Sequence, residues 1–188
     1  RPAYATDSFS ELPVLDLCLV CVKSYDLDNA MILLQDKIMP QTMILPLLNG
    51  VDIYERIRKR ISNGIVFPAC VYIGTHIEKP GKVRQRGGSC TIHFGNDPLN
   101  RDYNHEIFKL FDRAGIKYTW YDNPYTEIWN KFLMIAAFGL VTANFDKTFG
   151  EIMESADLTG HAKNIMNEII SIARAKGINL PDNAVNET

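Results

Sequence analysis

No apolar run in this sequence approaches the roughly 20 residues needed to span a bilayer. There is likewise no block of like charge long enough to act as a nucleic-acid arm, and the net charge is only −2. Neither a membrane nor a nucleic acid is therefore an expected partner. The densest basic stretch, Arg56 to Arg60, falls on a short amphipathic segment and reads as a solvated helix face. The four histidines are scattered, with no His-Glu-x-x-His or comparable cluster, and no metal is assigned. Cysteine is scarce too, at positions 18, 21, 70 and 90. Cys18-x-x-Cys21 has a metal or redox spacing, but both residues lie in a predicted buried strand. Residues three apart on a strand face opposite sides and cannot pinch one ion. They read as buried free thiols, which suits a cytoplasmic protein. A glycine loop of the G-x-G-x-x-G type, able to cradle a phosphate at a helix start, is also missing.

The first residues, Arg1 to Asp7, carry neither a start methionine nor the pattern of a signal peptide. A parallel-sheet pattern that starts midway is expected of a piece of a larger protein, cut at both ends. Hydrophobic residues make up 46% and charged residues 22% of the chain, enough for a sizeable core in an ordinary globular protein.

Two nearly unbroken apolar runs carry the fold. Leu15 to Val22 ends in Lys23, and Thr42 to Leu48 ends in Asn49-Gly50. Runs of that length without alternation suit a parallel sheet covered on both faces. Ser24 to Lys37 reads as the crossover helix between them, making the strands parallel neighbours. In such sheets ligands bind beyond the carboxyl ends of the strands, where Lys23 and Asn49 would sit.

Further on, Val51 to Ile61 reads as a helix stopped by Ser62-Asn63-Gly64. Ile65 to Ile73 reads as a strand that Pro68 demotes to an edge or a bulge. Lys79-Pro80-Gly81 is turn chemistry, and Lys82–Gln85 and Thr91–Phe94 read as a hairpin around Arg86-Gly87-Gly88-Ser89. A helix over Asn100 to Ala114, closed by Gly115, precedes a strand over Ile116 to Trp120. From Pro124 the period turns helical and stays so. One helix opens at Pro124 with Asn123 as its cap and carries Ile128, Phe132, Ile135 and Phe138 or Gly139 on one stripe. A break near Asn144 to Lys147 precedes a short helix around Phe149 to Met153. A long helix over Ala156 to Lys176 follows, with Ile165, Ile169 or Ile170, and Ala173 inward and Gly177 beyond its end. The fold class is α/β, a Rossmann-like parallel sheet followed by an all-helical domain, with residues 1–122 in the first and 123–188 in the second.

Four residues at three places in the sequence could do chemistry. Gly50 permits a tight turn and a close ligand approach, while the Asn49 amide offers one acceptor and two donors; its alternative role is to cap the helix after it. Lys23 is a cation at a strand end. Lys131, early in a largely apolar helix, either snorkels to solvent or points into a cleft. In a cleft, partial desolvation would lower its pKa and make it a usable proton donor.

Taken in order, Val22-Lys23-Ser24-Tyr25, Leu47-Leu48-Asn49-Gly50-Val51, Gly81-Lys82-Val83, Ile92-His93-Phe94-Gly95 and Ile128-Trp129-Asn130-Lys131-Phe132 resemble the ketopantoate reductase family, within the 6-phosphogluconate dehydrogenase-like group. The resemblance covers essentially the whole chain. It implies an NADPH-dependent reduction of 2-dehydropantoate (ketopantoate) to pantoate, on the path to pantothenate and coenzyme A, with NADPH as cofactor and a small 2-oxo acid as substrate. It further implies that Lys131 is the catalytic lysine that protonates the substrate oxygen. Lys23, Asn49 and Gly50 would then be cofactor-binding, and Asn49 and Lys131 substrate-binding. A homodimer through the helical domain is implied as well.

The family's well-characterised members carry asparagines one and two turns after that lysine. Ile135 and Gly139 stand there in this chain, with Thr142 and Asn144 the nearest polar residues. Two alternatives follow: a related NADP-dependent reductase of another 2-oxo acid, and a non-catalytic binding or dimerisation module.

Overall fold

In a computed structural model the chain is described over residues 3–87, 90–100 and 105–187. It divides into two compact units, Arg1–Pro124 and Tyr125–Thr188.

The first unit is built on strands β1 (Leu17–Val20), β2 (Met43–Pro46) and β3 (Ile65–Val66), in that order in one sheet. β1 and β2 pair in parallel, with Leu17 opposite Met43 and Val20 opposite Pro46, and β3 joins β2 in the same sense. The expected crossover spans the expected residues. A 3-10 turn at Ser24–Asp26, helix α1 (Leu27–Leu34) and a second 3-10 turn at Gln35–Lys37 run without a gap. Successive side chains on a strand point to opposite faces, and both faces of this sheet are apolar. Val20, Ile44 and Val66 pack with Leu27, Met31 and Ile57 of α1 and α2 (Ile53–Arg58). Met43, Leu45, Ile65 and Phe67 belong to a second core on the opposite face.

That second core is shared with a sheet formed by β4 (Ala69–Tyr72), β7 (Thr91–Gly95) and β8 (Lys117–Tyr121), and with α3 (Glu106–Ala114). Phe67 and Phe94 meet edge to face with centroids 5.6 Å apart, and Phe94 and Trp120 do so at 5.1 Å, the arrangement aromatic quadrupoles favour. Pro68 sits where one run of sequence changes sheets. Ahead of it the Phe67 N–H donates to Ile44 of β2; behind it the Pro68 carbonyl accepts from Gly95 of β7. Proline without an N–H marks the change of partner.

The hairpin expected between Lys82–Gln85 and Thr91–Phe94 does not form. β6 (Lys82–Gln85) pairs antiparallel with β5 (Thr75–Lys79), a strand without a clear sequence signal, around Pro80-Gly81. β7 pairs with β4 and β8 instead. Burial decides between these pairings. Ile92 and Phe94 alternate into the core, whereas Val83 is exposed and has nothing to gain there. Gly88 and Ser89 of the expected turn, and residues 101–104 of the expected α3 start, lie outside the described residues. Cys18 is half-buried and Cys21 exposed, because β1 ends at Val20, one residue before Cys21. The reading of both as buried thiols is corrected accordingly. Burial is the main cause that pushes the Cys18 thiol up to about 11, with the Cys21 charge second.

The second unit is helical: α4 (Tyr125–Phe145), α5 (Phe149–Glu154), α6 (Ala156–Ala175) and α7 (Ala184–Glu187), the last unmarked by any sequence signal. α4 packs on both α5 and α6, so its buried arc is wider than the single stripe expected. Ile128, Trp129, Leu133, Ala137, Phe138 and Val141 are buried, whereas Phe132 and Ile135 are only half-buried and Gly139 is exposed. On α6 the inward residues are Ala162, Met166, Ile169 and Ala173, with Ile165 and Ile170 only partly covered. By length and composition α4 would suffice to cross a membrane. A search for unbroken apolar runs misses this because Thr126, Glu127, Asn130 and Lys131 interrupt it.

Candidate functional site

The parallel register brings two of the expected residues to one edge. Val20 lies opposite Pro46, and the Leu47 N–H donates to the Val20 carbonyl at 2.9 Å, closing the ladder at its carboxyl end. Lys23 and Asn49 each follow three residues after those paired positions, and both are exposed. The Lys23 carbonyl accepts from the Asp26 N–H at 2.9 Å, which turns the chain into the crossover. Gly50 adopts φ +138°, a conformation that favours glycine. A Cβ there would approach Ile53 Cδ1 to 3.0 Å, so the turn lies directly on the start of α2. The residue at the N-cap position of α2 is Asp52, not Asn49.

Arg56 of α2 ties that helix to the start of the crossover. Its guanidinium donates to the Ser24 carbonyl at 2.6 Å, one residue past Lys23, and to Asp28 at 2.7 Å. The carboxyl of Asp28 is held below the usual range by that bond first, and by Arg60 as well. The stretch Arg56 to Arg60 is therefore not simply a solvated face. Arg58 makes an ion pair with Asp97, whose side chain is fully buried, and also donates to the carbonyls of Asn63 and Gly64. Asp97 accepts from the Tyr54 hydroxyl at 2.7 Å and from the Val66 N–H at 2.9 Å. Burial, reinforced by the bond to Asp97, pushes the Tyr54 hydroxyl up to about 12. Sequence reading missed this network, since Arg58 and Asp97 are 39 positions apart. The available signal was an acid directly after a strand, in Phe94-Gly95-Asn96-Asp97-Pro98.

Lys131 belongs to the second unit, on α4, two turns into the helix. It is 8% exposed, flanked by buried Ile128 and Trp129, so the snorkelling account does not describe it. Ile135 and Gly139 follow at one and two turns on the same helix, where neither side chain can hydrogen-bond. Thr142 and Asn144 also lie inside α4, not past its end, and the Thr142 hydroxyl donates to the Gly139 carbonyl at 2.9 Å. Among the described residues no group of three His, Cys, Asp or Glu side chains could hold a metal ion.

Chemically, the sheet edge offers a cation, an amide and a backbone without a Cβ, and α4 offers a buried ammonium. Residues 1–98 match the sequence model of the family described as ketopantoate reductase PanE/ApbA, and residues 123–188 match the model of its C-terminal part. The chain is 25% identical to the 2-dehydropantoate 2-reductase of Streptococcus pyogenes serotype M6, over 92% of this chain and 56% of that protein. It is 26% identical to the 2-dehydropantoate 2-reductase of Halobacterium salinarum, over 98% of this chain and 60% of that protein. The crystal structure of 2-dehydropantoate 2-reductase from Porphyromonas gingivalis W83 superposes with a TM-score of 0.86 at 31% identity, covering 100% of this chain and 65% of that one. The chain thus spans little more than half the length of the two curated relatives.

Proposed function

This chain belongs to the ketopantoate reductase family, and on that footing we propose that the full-length protein reduces 2-dehydropantoate to pantoate with NADPH, as a step towards pantothenate and coenzyme A. The observation that carries the reading is Lys131, a buried cation on the helix that opens the family's C-terminal region. A lysine held away from water beside a reacting carbonyl stabilises the charge that develops on its oxygen and can donate the proton. The nicotinamide, when bound, supplies the hydride. Asn49 orients cofactor and substrate through its amide, and Gly50 lets backbone approach closely because a Cβ is lacking. Lys23 contributes positive charge at the same sheet edge, suited to an anionic cofactor.

Ile135 and Gly139 favour a second reading within the same chemistry. A substrate gripped by fewer hydrogen bonds, such as a 2-oxo acid without a terminal hydroxyl, fits these positions better than one that needs two asparagines. Steady-state oxidation of NADPH by the purified full-length protein, with 2-dehydropantoate and with a panel of other 2-oxo acids, tests both. Acid-dependent oxidation supports the reductase, and a tenfold preference for a less polar acid selects the second reading. A rate unchanged by any 2-oxo acid rejects both.

A further inference from the structure

Asp97 is fully buried, and its carboxylate is saturated by four donors from three places in the fold. One oxygen accepts from the Tyr54 hydroxyl at 2.7 Å and from the Leu99 N–H at 3.0 Å. The other accepts from the Arg58 guanidinium and from the Val66 N–H at 2.9 Å. The bond to Val66 is structurally specific. Ile65 and Phe67 send their N–H groups to the carbonyls of Thr42, just ahead of β2, and Ile44 within it, whereas Val66 points its N–H the other way, where the next strand would stand. The carboxylate takes that strand's place. Tyr54 and Arg58 lie one turn apart on α2 and also touch each other, with the guanidinium 5.7 Å from the ring centroid. Asp97 therefore fixes α2 to the sheet at two points, and Ile53 at the start of α2 lies close beside Gly50, where an added Cβ would meet it at 3.0 Å. Asn96, its neighbour in sequence, holds the Tyr121 carbonyl through its N–H and the Asp122 carbonyl through its amide, at the segment that leads to α4.

We propose that Asp97 is a positioning residue for the reduction. By locking Tyr54 and Arg58 it sets α2, and through α2 the Asn49-Gly50 turn at the sheet edge. The proposal rests on the functional reading above. It assigns Asp97 no contact with substrate or cofactor. Its effect is to hold the Asn49 amide within the narrow tolerance that an oriented reaction needs, where a displacement of about 1 Å can cost on the order of 10²-fold in rate.

A double-mutant cycle in the full-length protein tests this. Asp97→Asn keeps the shape and removes the charge; Tyr54→Phe removes a single hydrogen bond and leaves the ion pair intact. Expected are a loss in kcat/KM of about 10- to 100-fold for Asp97→Asn, carried mainly by kcat, and a smaller loss of the same kind for Tyr54→Phe. In the Asn49→Ala background each should cost less than about twofold more, because the group being positioned is already gone. A merely structural role would add its full loss on top of Asn49→Ala, and that result overturns the proposal. So does a folded Asp97→Asn protein with kcat/KM within about twofold of wild type. Should Asp97→Asn not fold, Tyr54→Phe decides by the same two criteria. An active wild type with an undisturbed Asn49→Ala variant ends the inference while the reductase reading stands. A wild type inactive on every 2-oxo acid ends both.

Discussion

A Cβ at position 95 would run into the Tyr121 carbonyl oxygen and lie 2.8 Å from Pro124 Cδ, closer than real contacts allow. The clash is with backbone and a rigid ring, so no side chain can move aside. Gly95→Ala should destabilise the protein by about 1–3 kcal/mol or more through overpacking. Chemical denaturation checks it, and an unchanged midpoint would show that the β7–β8 segment yields freely. At this scale the sequence was informative where local chemistry decides. Asn49-Gly50 at the end of an apolar run announces a tight turn, and Gly50 has the positive φ such a turn needs. It was silent where the partner is remote. The side chain of Lys131 could reach either solvent or the interior with the same neighbours, and only the packed helix puts it inside. Arg58 looks like any surface arginine until Asp97 is brought to it.

Among the elements, α5 shows how a six-residue helix is started against a chain reversal. Asp146 takes φ +51° just ahead of it, and Thr148 and Glu151 form a reciprocal capping box. The Thr148 hydroxyl accepts from the Glu151 N–H, while the Glu151 carboxylate accepts from the Thr148 N–H at 2.8 Å. Thr148→Ala should lower stability by roughly 1 kcal/mol, as loss of an N-cap does. The carboxyl of Glu151 is drawn down from its ordinary value of 4.5 to about 2, first by the Thr148 N–H, then by its hydroxyl and by Lys147. Because the folded pKa is the lower one, this stabilisation is full above about 4.5 and fades as pH falls towards about 2. Thermal unfolding of wild type and Glu151→Gln should therefore differ at neutral pH and converge across that window. A gap independent of pH would contradict the account. The long helix α6 was readable from the spacing of its apolar residues, and α1 from its place between two apolar strand runs. Strand pairing was not. Lys82–Gln85 has the same local appearance whether it pairs forwards with β7 or backwards with β5. What selects β5 is the burial of Ile92 and Phe94, a property of the assembled core.

For the molecule as a whole, the change of period at Asp122-Asn123-Pro124 and the two apolar strands were enough to place a parallel sheet before a helical region. Polar residues scattered through α4 concealed its full apolar length, because its buried arc is set by two neighbouring helices instead of one. The role proposed for Lys131 of the helical unit is to give a proton to the substrate oxygen. The direct test compares kcat for 2-oxo acid reduction in Lys131→Ala and Lys131→Met variants of the full-length protein. Methionine keeps the unbranched stem and its packing but has no proton to give. Both variants should fall by roughly 10²–10⁴-fold, the span for loss of a positioned proton donor, with cofactor affinity little changed. A Lys131→Met enzyme with wild-type kcat would contradict the account.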